Sequence, residues 1–271
     1  MSECTHNCET CGSSCSEKKI PKEPMNKFSD IKKVIAVVSG KGGVGKSMVT
    51  SLMAAAMKRK EKEVAVLDAD ITGPSIPKAF GIKSRAKGGD NGIFPIETDT
   101  GIKIMSLNLL LENESDPVAW RGPVIAGVVK QFWTEVIWED VDYMFVDMPP
   151  GTGDVALTVF QSLPIDGIIV VTSPQDLVSM IVEKVAKLAT IMNIPILGII
   201  ENMSYFQCDK CGEKHYIYGK GDTEELAKKY DIPAIGQIPI DPAIAKAADE
   251  GKMEEVEGDW LDAVAEKVLS L

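Results

Sequence analysis

From residue 31 onward, short runs of β-branched and other apolar residues alternate with stretches whose apolar positions recur at helical spacing. The apolar runs fall at residues 34–38, 64–67, 102–107, 143–146, 167–172, 196–200 and 234–238. Several are apolar throughout, the pattern of a strand covered by helices on both faces of a parallel sheet. The helical stretches fall at 46–59, 124–138, 179–192, 223–230 and 260–269. Alternation of this density predicts one α/β domain over residues 31–271, a doubly wound, mainly parallel sheet with helices on both faces. Residues 82–101, rich in Gly, Asp and Lys, are expected to form an exposed insertion. Residues 1–30 show neither period, are polar and carry two prolines. They are expected to form a tail and flexible linker outside the core.

Composition narrows the function. With 45% hydrophobic residues in 271, the chain can bury a sizeable core. Its 40 acidic residues outnumber 29 basic ones, for a net charge of -11. Such a surface repels phosphate backbones and no basic patch offsets it, so no nucleic-acid partner is expected. No apolar run approaches a membrane span, and the N-terminus has no apolar signal region. A cytoplasmic chain without a membrane partner is expected, and its six cysteines then read first as metal or redox ligands.

Directly after the first predicted strand stands Gly40-Lys41-Gly42-Gly43-Val44-Gly45-Lys46-Ser47, which fits G-x-x-x-x-G-K-[ST] and opens a predicted helix. Glycines let successive backbone N–H groups face phosphates, and the helix N-terminus adds positive potential. Lys46 is expected to reach the β- and γ-phosphates and the Ser47 hydroxyl to ligate Mg²⁺. Lys41 is not needed for that cradle and taken alone reads as a solvated loop lysine. Asp68 and Asp70 end the second run and Asp147 ends a later one, so all three point toward the loop beyond the strands' carboxyl ends. Asp147 is placed to hold Mg²⁺, Asp70 to position an attacking water, and Asp68 to support the metal or the loop. The alternative for each is a strand-end carboxylate that caps the next element. Residues 147–154, with two prolines and two glycines, suit a switch that registers the γ-phosphate.

The cysteines fall into two sets: Cys4, Cys8, Cys11 and Cys15, and the late pair Cys208 and Cys211. The first has enough ligands for a cluster or for zinc. The pair supplies two of the four ligands such a site needs, and the same pair from a second copy would complete a bridging site on a two-fold axis. A zinc knuckle completed by His215 and another ligand fits the spacing equally well.

Taken in order, residues 40–47, 68–75 (DADITGPS), 120–123 (WRGP), 147–154 (DMPPGTGD), 172–175 (TSPQ), 201–203 (ENM) with the C-x-x-C, and 238–241 (IPID) carry a family resemblance. The chain closely resembles the Mrp/ApbC-type P-loop ATPases, iron–sulfur cluster carriers of the deviant Walker A (MinD/ParA-like) superfamily, over roughly residues 31–255. The resemblance implies a slow, switch-like ATPase that binds ATP through Lys41, Lys46 and Ser47, with Lys41 crossing a homodimer interface and Asn202 recognising the adenine. It implies a labile 4Fe–4S cluster bridged by Cys208 and Cys211 of two subunits and delivered to apo-proteins, with scaffold proteins as further partners. The N-terminal set resembles the cluster of eukaryotic cytosolic members, with different spacing, and zinc remains an alternative there. The linker at 16–30 spans about 50 Å when extended, so the tail is expected to reach the interface cluster. Met48 departs from the family's usual threonine, with a small packing effect expected. Two rivals share the fold. A MinD/ParA-like positioning ATPase with structural zinc calls for a basic amphipathic C-terminal helix, whereas the stripe Trp260, Leu261, Val264, Val268 and Leu269 is flanked by Asp259, Asp262 and Glu266. A nitrogenase-reductase-like electron donor would space its cysteines far apart.

Overall fold

The computed structural model describes residues 22–70, 73, 75–111, 122–151, 153–174 and 178–271. Its strands are β1 (Ser29–Ser39), β2 (Val64–Asp68), β3 (Lys87–Gly89), β4 (Gly92–Phe94), β5 (Ile96–Glu97), β6 (Lys103–Met105), β7 (Glu139–Asp147), β8 (Gly167–Thr172), β9 (Ile196–Glu201), β10 (Phe206–Gln207), β11 (Lys214–His215) and β12 (Ile235–Gln237). Its α-helices are α1 (Lys46–Arg59), α2 (Ile76–Ala79), α3 (Gly122–Glu135), α4 (Asp154–Ser162), α5 (Val178–Met192), α6 (Thr223–Lys229), α7 (Pro242–Glu250) and α8 (Asp262–Leu269). An eight-stranded sheet runs β12-β9-β8-β1-β7-β2-β6-β5. Every neighbouring pair is parallel except β5–β6. This is the doubly wound α/β architecture that the alternation predicts.

Residues 34–38 of β1 are at most 5% exposed, which explains a run without polar alternation. One apolar layer gathers Phe132, Trp133, Phe160 and Val185 beneath α3, α4 and α5. The other gathers Met53, Met57, Ile104 and Val264 beneath α1 and α8. Val264 sits against Gly198 of β9, where a side chain would crowd it. The apolar stripe of the last helix therefore packs on the sheet. Among the described residues no helix is long and apolar enough to cross a membrane.

Four expectations need correction. The linker does not stay off the core up to residue 30: residues 22–28 form a strap along it, and β1 begins at Ser29. Lys22 Nζ donates to Phe160 O at 2.6 Å, Glu23 N to Ser162 O at 2.9 Å, and Trp133 Nε1 to Glu23 O at 3.0 Å. Buried backbone and indole groups need these partners, which polarity alone does not reveal. The 82–101 insertion is not wholly exposed, because β5 extends the sheet as its antiparallel edge. The helix predicted to Trp138 ends at Glu135. Ile137 N instead donates to Ile93 O at 2.8 Å and Trp138 N to Ser29 Oγ at 2.8 Å, an extended course that suits a β-branched pair. The run at 102–107 is a strand only to Met105, after which Leu107–Leu109 forms a 3₁₀ turn.

Candidate functional site

Parallel strands share one carboxyl edge, so β1, β2, β7 and β9 deliver the 40–47 loop, Asp68 with Asp70, Asp147 and Asn202 to the same place. Gly43 and Gly45 hold φ of +79° and +80°, where glycine carries no steric cost. They fold the loop back over the end of β1, and α1 starts at Lys46.

Lys46 is 6% exposed, with Nζ 2.8 Å from Asp147 Oδ1 and 3.4 Å from Asp70 Oδ2. Both contacts are close enough for ion pairing, yet neither is aligned as a hydrogen bond. The ammonium is therefore charge-compensated with its donors unfilled. A buried ammonium in that condition, under a glycine cradle, fits phosphate oxygens. Asp147 is fully buried; its Oδ2 accepts from Ser47 Oγ at 2.6 Å and its Oδ1 from Thr50 Oγ1 at 2.7 Å. Hydroxyl and carboxylate oxygens of this kind suit a hard cation such as Mg²⁺.

Asp68 is 1% exposed; its Oδ2 accepts from Ser106 Oγ at 2.9 Å and its Oδ1 from Asp70 N at 3.1 Å. Burial, and then the neighbouring Asp147 charge, push its carboxyl well above the usual carboxylate range, against the pull of Ser106 and Lys46. Two groups here escaped the sequence reading. Thr50 lies one helical turn after Lys46 on the same face, a legible spacing. Ser106 is brought in by a 3₁₀ turn that no local pattern announces.

Asn202 Nδ2 donates to Val44 O at 2.9 Å, while its buried Oδ1 has no partner. An open buried acceptor beside the loop suits the amino group of a base. A Cβ on Gly45 would overlap Asn202 Nδ2. Lys41, Gly42, Gly43, Lys46, Ser47 and Asp70 line a cleft of about 440 Å³, and Met48 lies on its wall. Gly40 joins the loop to β1 at its base. The segment after Asp147 is tied to the same strand, with Met148 N donating to Val37 O and Gly151 N to Ser39 O. A larger cleft of about 640 Å³ lies beside α6 and Trp260, but its charges alternate in sign, with Lys214 and Lys228 against Glu224, Asp231 and Asp259. The chemistry is concentrated in the smaller one.

Cys208 and Cys211 occupy the turn of a separate β10–β11 ribbon, in which Phe206 pairs with His215. The backbone N–H groups of Cys211 and Lys210, then the Cys211 thiol, hydrogen-bond to Cys208 and hold its thiol below the usual value. Among the described residues no group of three or more His, Cys, Asp or Glu is placed to hold a metal ion. Phe206, Tyr216, Ile217 and Tyr218 are all exposed around the pair. Cys4, Cys8, Cys11 and Cys15 lie outside the described residues, as do Trp120 and Arg121 and much of residues 71–74.

The family described as ParA, NUBPL iron-transfer P-loop NTPase, matches residues 30–269. The chain belongs to this family. An iron-sulfur cluster carrier protein of Methanocaldococcus jannaschii is 46% identical over 260 residues, covering 93% of this chain and 90% of that one. One of Clostridium perfringens is 45% identical over 244 residues, covering 87% and 86%. A nucleotide-binding protein from Archaeoglobus fulgidus, solved in complex with ADP, superposes with a TM-score of 0.78 at 44% identity, covering 86% of this chain and 91% of that one. For an iron-transfer P-loop NTPase, the glycine cradle, the buried lysine and the ribbon thiols are therefore the groups to weigh.

Proposed function

We propose that this protein is an ATP-dependent carrier that holds a 4Fe–4S cluster as cargo between the Cys208 and Cys211 pairs of two subunits and delivers it to apo-proteins. The observation that carries the reading is the ribbon's thiol pair, with Cys211 exposed and Cys208 half-buried. It offers two ligands, belongs among the described residues to no group of three or more placed to hold a metal ion, and stands amid exposed apolar side chains on a chain that also builds a nucleotide cradle. Two ligands per copy call for a second copy, and the apolar surround gives that copy something to bury. The names of the relatives support the cargo, and the ADP complex supports the nucleotide.

In this reading Gly40, Gly42, Gly43, Val44 and Gly45 present the loop backbone to the phosphates and Lys46 fills its donors on them. Lys41 reaches across the dimer toward the partner's nucleotide. Asn202 Oδ1 accepts from the base. Ser47 and Asp147 would hold Mg²⁺, with Asp68 behind them, and the ion would neutralise charge developing on the phosphate oxygens. Asp70, 9% exposed two residues beyond β2, orients the water for a slow hydrolysis. Nucleotide state then sets how tightly the dimer holds its cargo, which requires unequal cargo affinity between states. The N-terminal cysteines hold a second cluster or zinc.

The test is anaerobic reconstitution with iron and sulfide, with Fe, S and Zn counted per dimer in wild type and in Cys208→Ala/Cys211→Ala. The reading expects the variant to lack about four irons per dimer and the 4Fe–4S Mössbauer spectrum that accompanies them. Equal iron in both proteins, or zinc in both and no iron, would overturn it.

A further inference from the structure

The ribbon that carries the thiols is exposed along nearly all of residues 206–220, yet both of its ends are held by one buried side chain. Glu201, the last residue of β9, is 2% exposed. Its Oε1 accepts from Ser204 Oγ at 2.5 Å, and its Oε2 accepts from Thr223 Oγ1. Ser204 and Thr223 are each 1% exposed and bracket the segment. Gly221 packs so closely on the carboxylate that a Cβ there would overlap Oε2. Ser204 N also donates to Ile238 O at 2.9 Å, which fixes the ribbon's entry to the strand edge.

The residue after Glu201 is Asn202, whose amide grips Val44 O and packs on Gly45, the N-cap of α1. Successive side chains of an extended segment point to opposite faces. One strand end thus sends its carboxylate to the ribbon and its amide to the phosphate loop. Met203 then turns the chain with a φ of +56°, a conformation a non-glycine residue adopts only when its surroundings impose it. A movement of Gly45 and Val44 when phosphates enter cannot leave Asn202 in place, and Asn202 cannot shift without its neighbour. A buried carboxylate that gave up either hydroxyl would leave an acceptor unpaired at a cost, so the ribbon ends follow it.

We propose that Glu201 is a positioning residue that couples the phosphate loop to the thiol ribbon, so that nucleotide occupancy changes the exposure and grip of Cys208 and Cys211. The inference rests on the carrier reading for its purpose but not for its test, which needs no cluster. The metal-free full chain is pulsed with a maleimide, with and without ATP and Mg²⁺, and modification at Cys208 and Cys211 is counted by peptide mass. Wild type is expected to show a rate ratio between the two conditions of about 5 or more, the lower end of ordinary coupling between sites. In Thr223→Val and in Glu201→Gln, the ratio at saturating ATP falls to about 1 while calorimetry shows that ATP still binds, as loss of the coupling alone predicts. Thr223→Val removes one hydroxyl and keeps the shape, so it tests the idea even if Glu201→Gln misfolds. A wild-type ratio near 1, or a ratio preserved in Thr223→Val, would overturn the coupling. Absence of iron after reconstitution would instead sink the carrier reading and leave this result standing.

Discussion

Gly45→Ala should destabilise the apo-protein more than Gly43→Ala, although both glycines have nearly the same φ. At Gly43 a Cβ meets nothing within 4 Å, so alanine there costs only the left-handed backbone, about 1–2 kcal/mol. At Gly45 the same backbone cost applies, and the methyl would also overlap Asn202 Nδ2. Asn202 is 3% exposed and must rotate away, giving up its 2.9 Å bond to Val44 O. Stranding those buried groups adds about 1–3 kcal/mol, for a total of about 2–5 kcal/mol. Urea unfolding of the apo-protein reads this as a midpoint lowered by on the order of 1 M. The decisive comparison is a double-mutant cycle with Asn202→Ala. Once the amide is gone, Gly45→Ala should cost only the backbone term, leaving a coupling of about 1–3 kcal/mol. Equal penalties for Gly45→Ala in the two backgrounds would refute the contact as the cause.

Lys46→Met removes donors that only a ligand can fill, and ATP affinity by calorimetry should fall at least about 100-fold, the loss of two charge-assisted bonds. Relative to a chain starting at Lys22, one starting at Ser29 should lose about 2–4 kcal/mol in urea unfolding. The buried Trp133 indole and Ser162 O lose their partners, and Met25 leaves the core. Asp142 is held below the usual carboxylate range by Lys32 and by the Glu63 N–H. A depressed native pKa gives stability that is present above the unfolded value and lost as pH falls through the folded one. Asp142→Asn should therefore be less stable than wild type at pH 7, with the gap closing below about pH 4 and shrinking in high salt, because Lys32 is exposed. A gap that widens in acid would contradict that sign.

Much of this molecule is legible in its sequence where local chemistry and global fold agree. The glycine loop, its helix over residues 46–59 and the buried runs of β1 and β8 need no distant partner to be recognised. The three aspartates follow from where parallel strands end. Helix α7 is equally readable: Asp241 caps it through Ala243 N, Pro242 opens it, and Gly251 closes it at φ +75°. The strap was not readable, since its polar residues satisfy groups on α3 and α4 more than a hundred positions away. Nor was the extended course of Val136–Trp138, which continues a helical apolar pattern and breaks from it only because Ile93 and Ser29 offer hydrogen bonds. The Glu201 clamp was hidden for the same reason: its two hydroxyls converge only after the ribbon between them has folded out of the way.

The strap also sets a concentration. Cys15, the last of the N-terminal cysteines, lies seven positions before Lys22, which is fixed to the carbonyl of Phe160. Seven residues reach at most about 25 Å. One thiol confined within that radius amounts to roughly 25 mM around its own domain, far above any micromolar concentration of free molecules. A ligand of the same subunit inside the sphere meets that thiol at a rate that dilution does not change. A ligand outside the sphere competes only by collision between molecules, and its share falls as the protein is diluted.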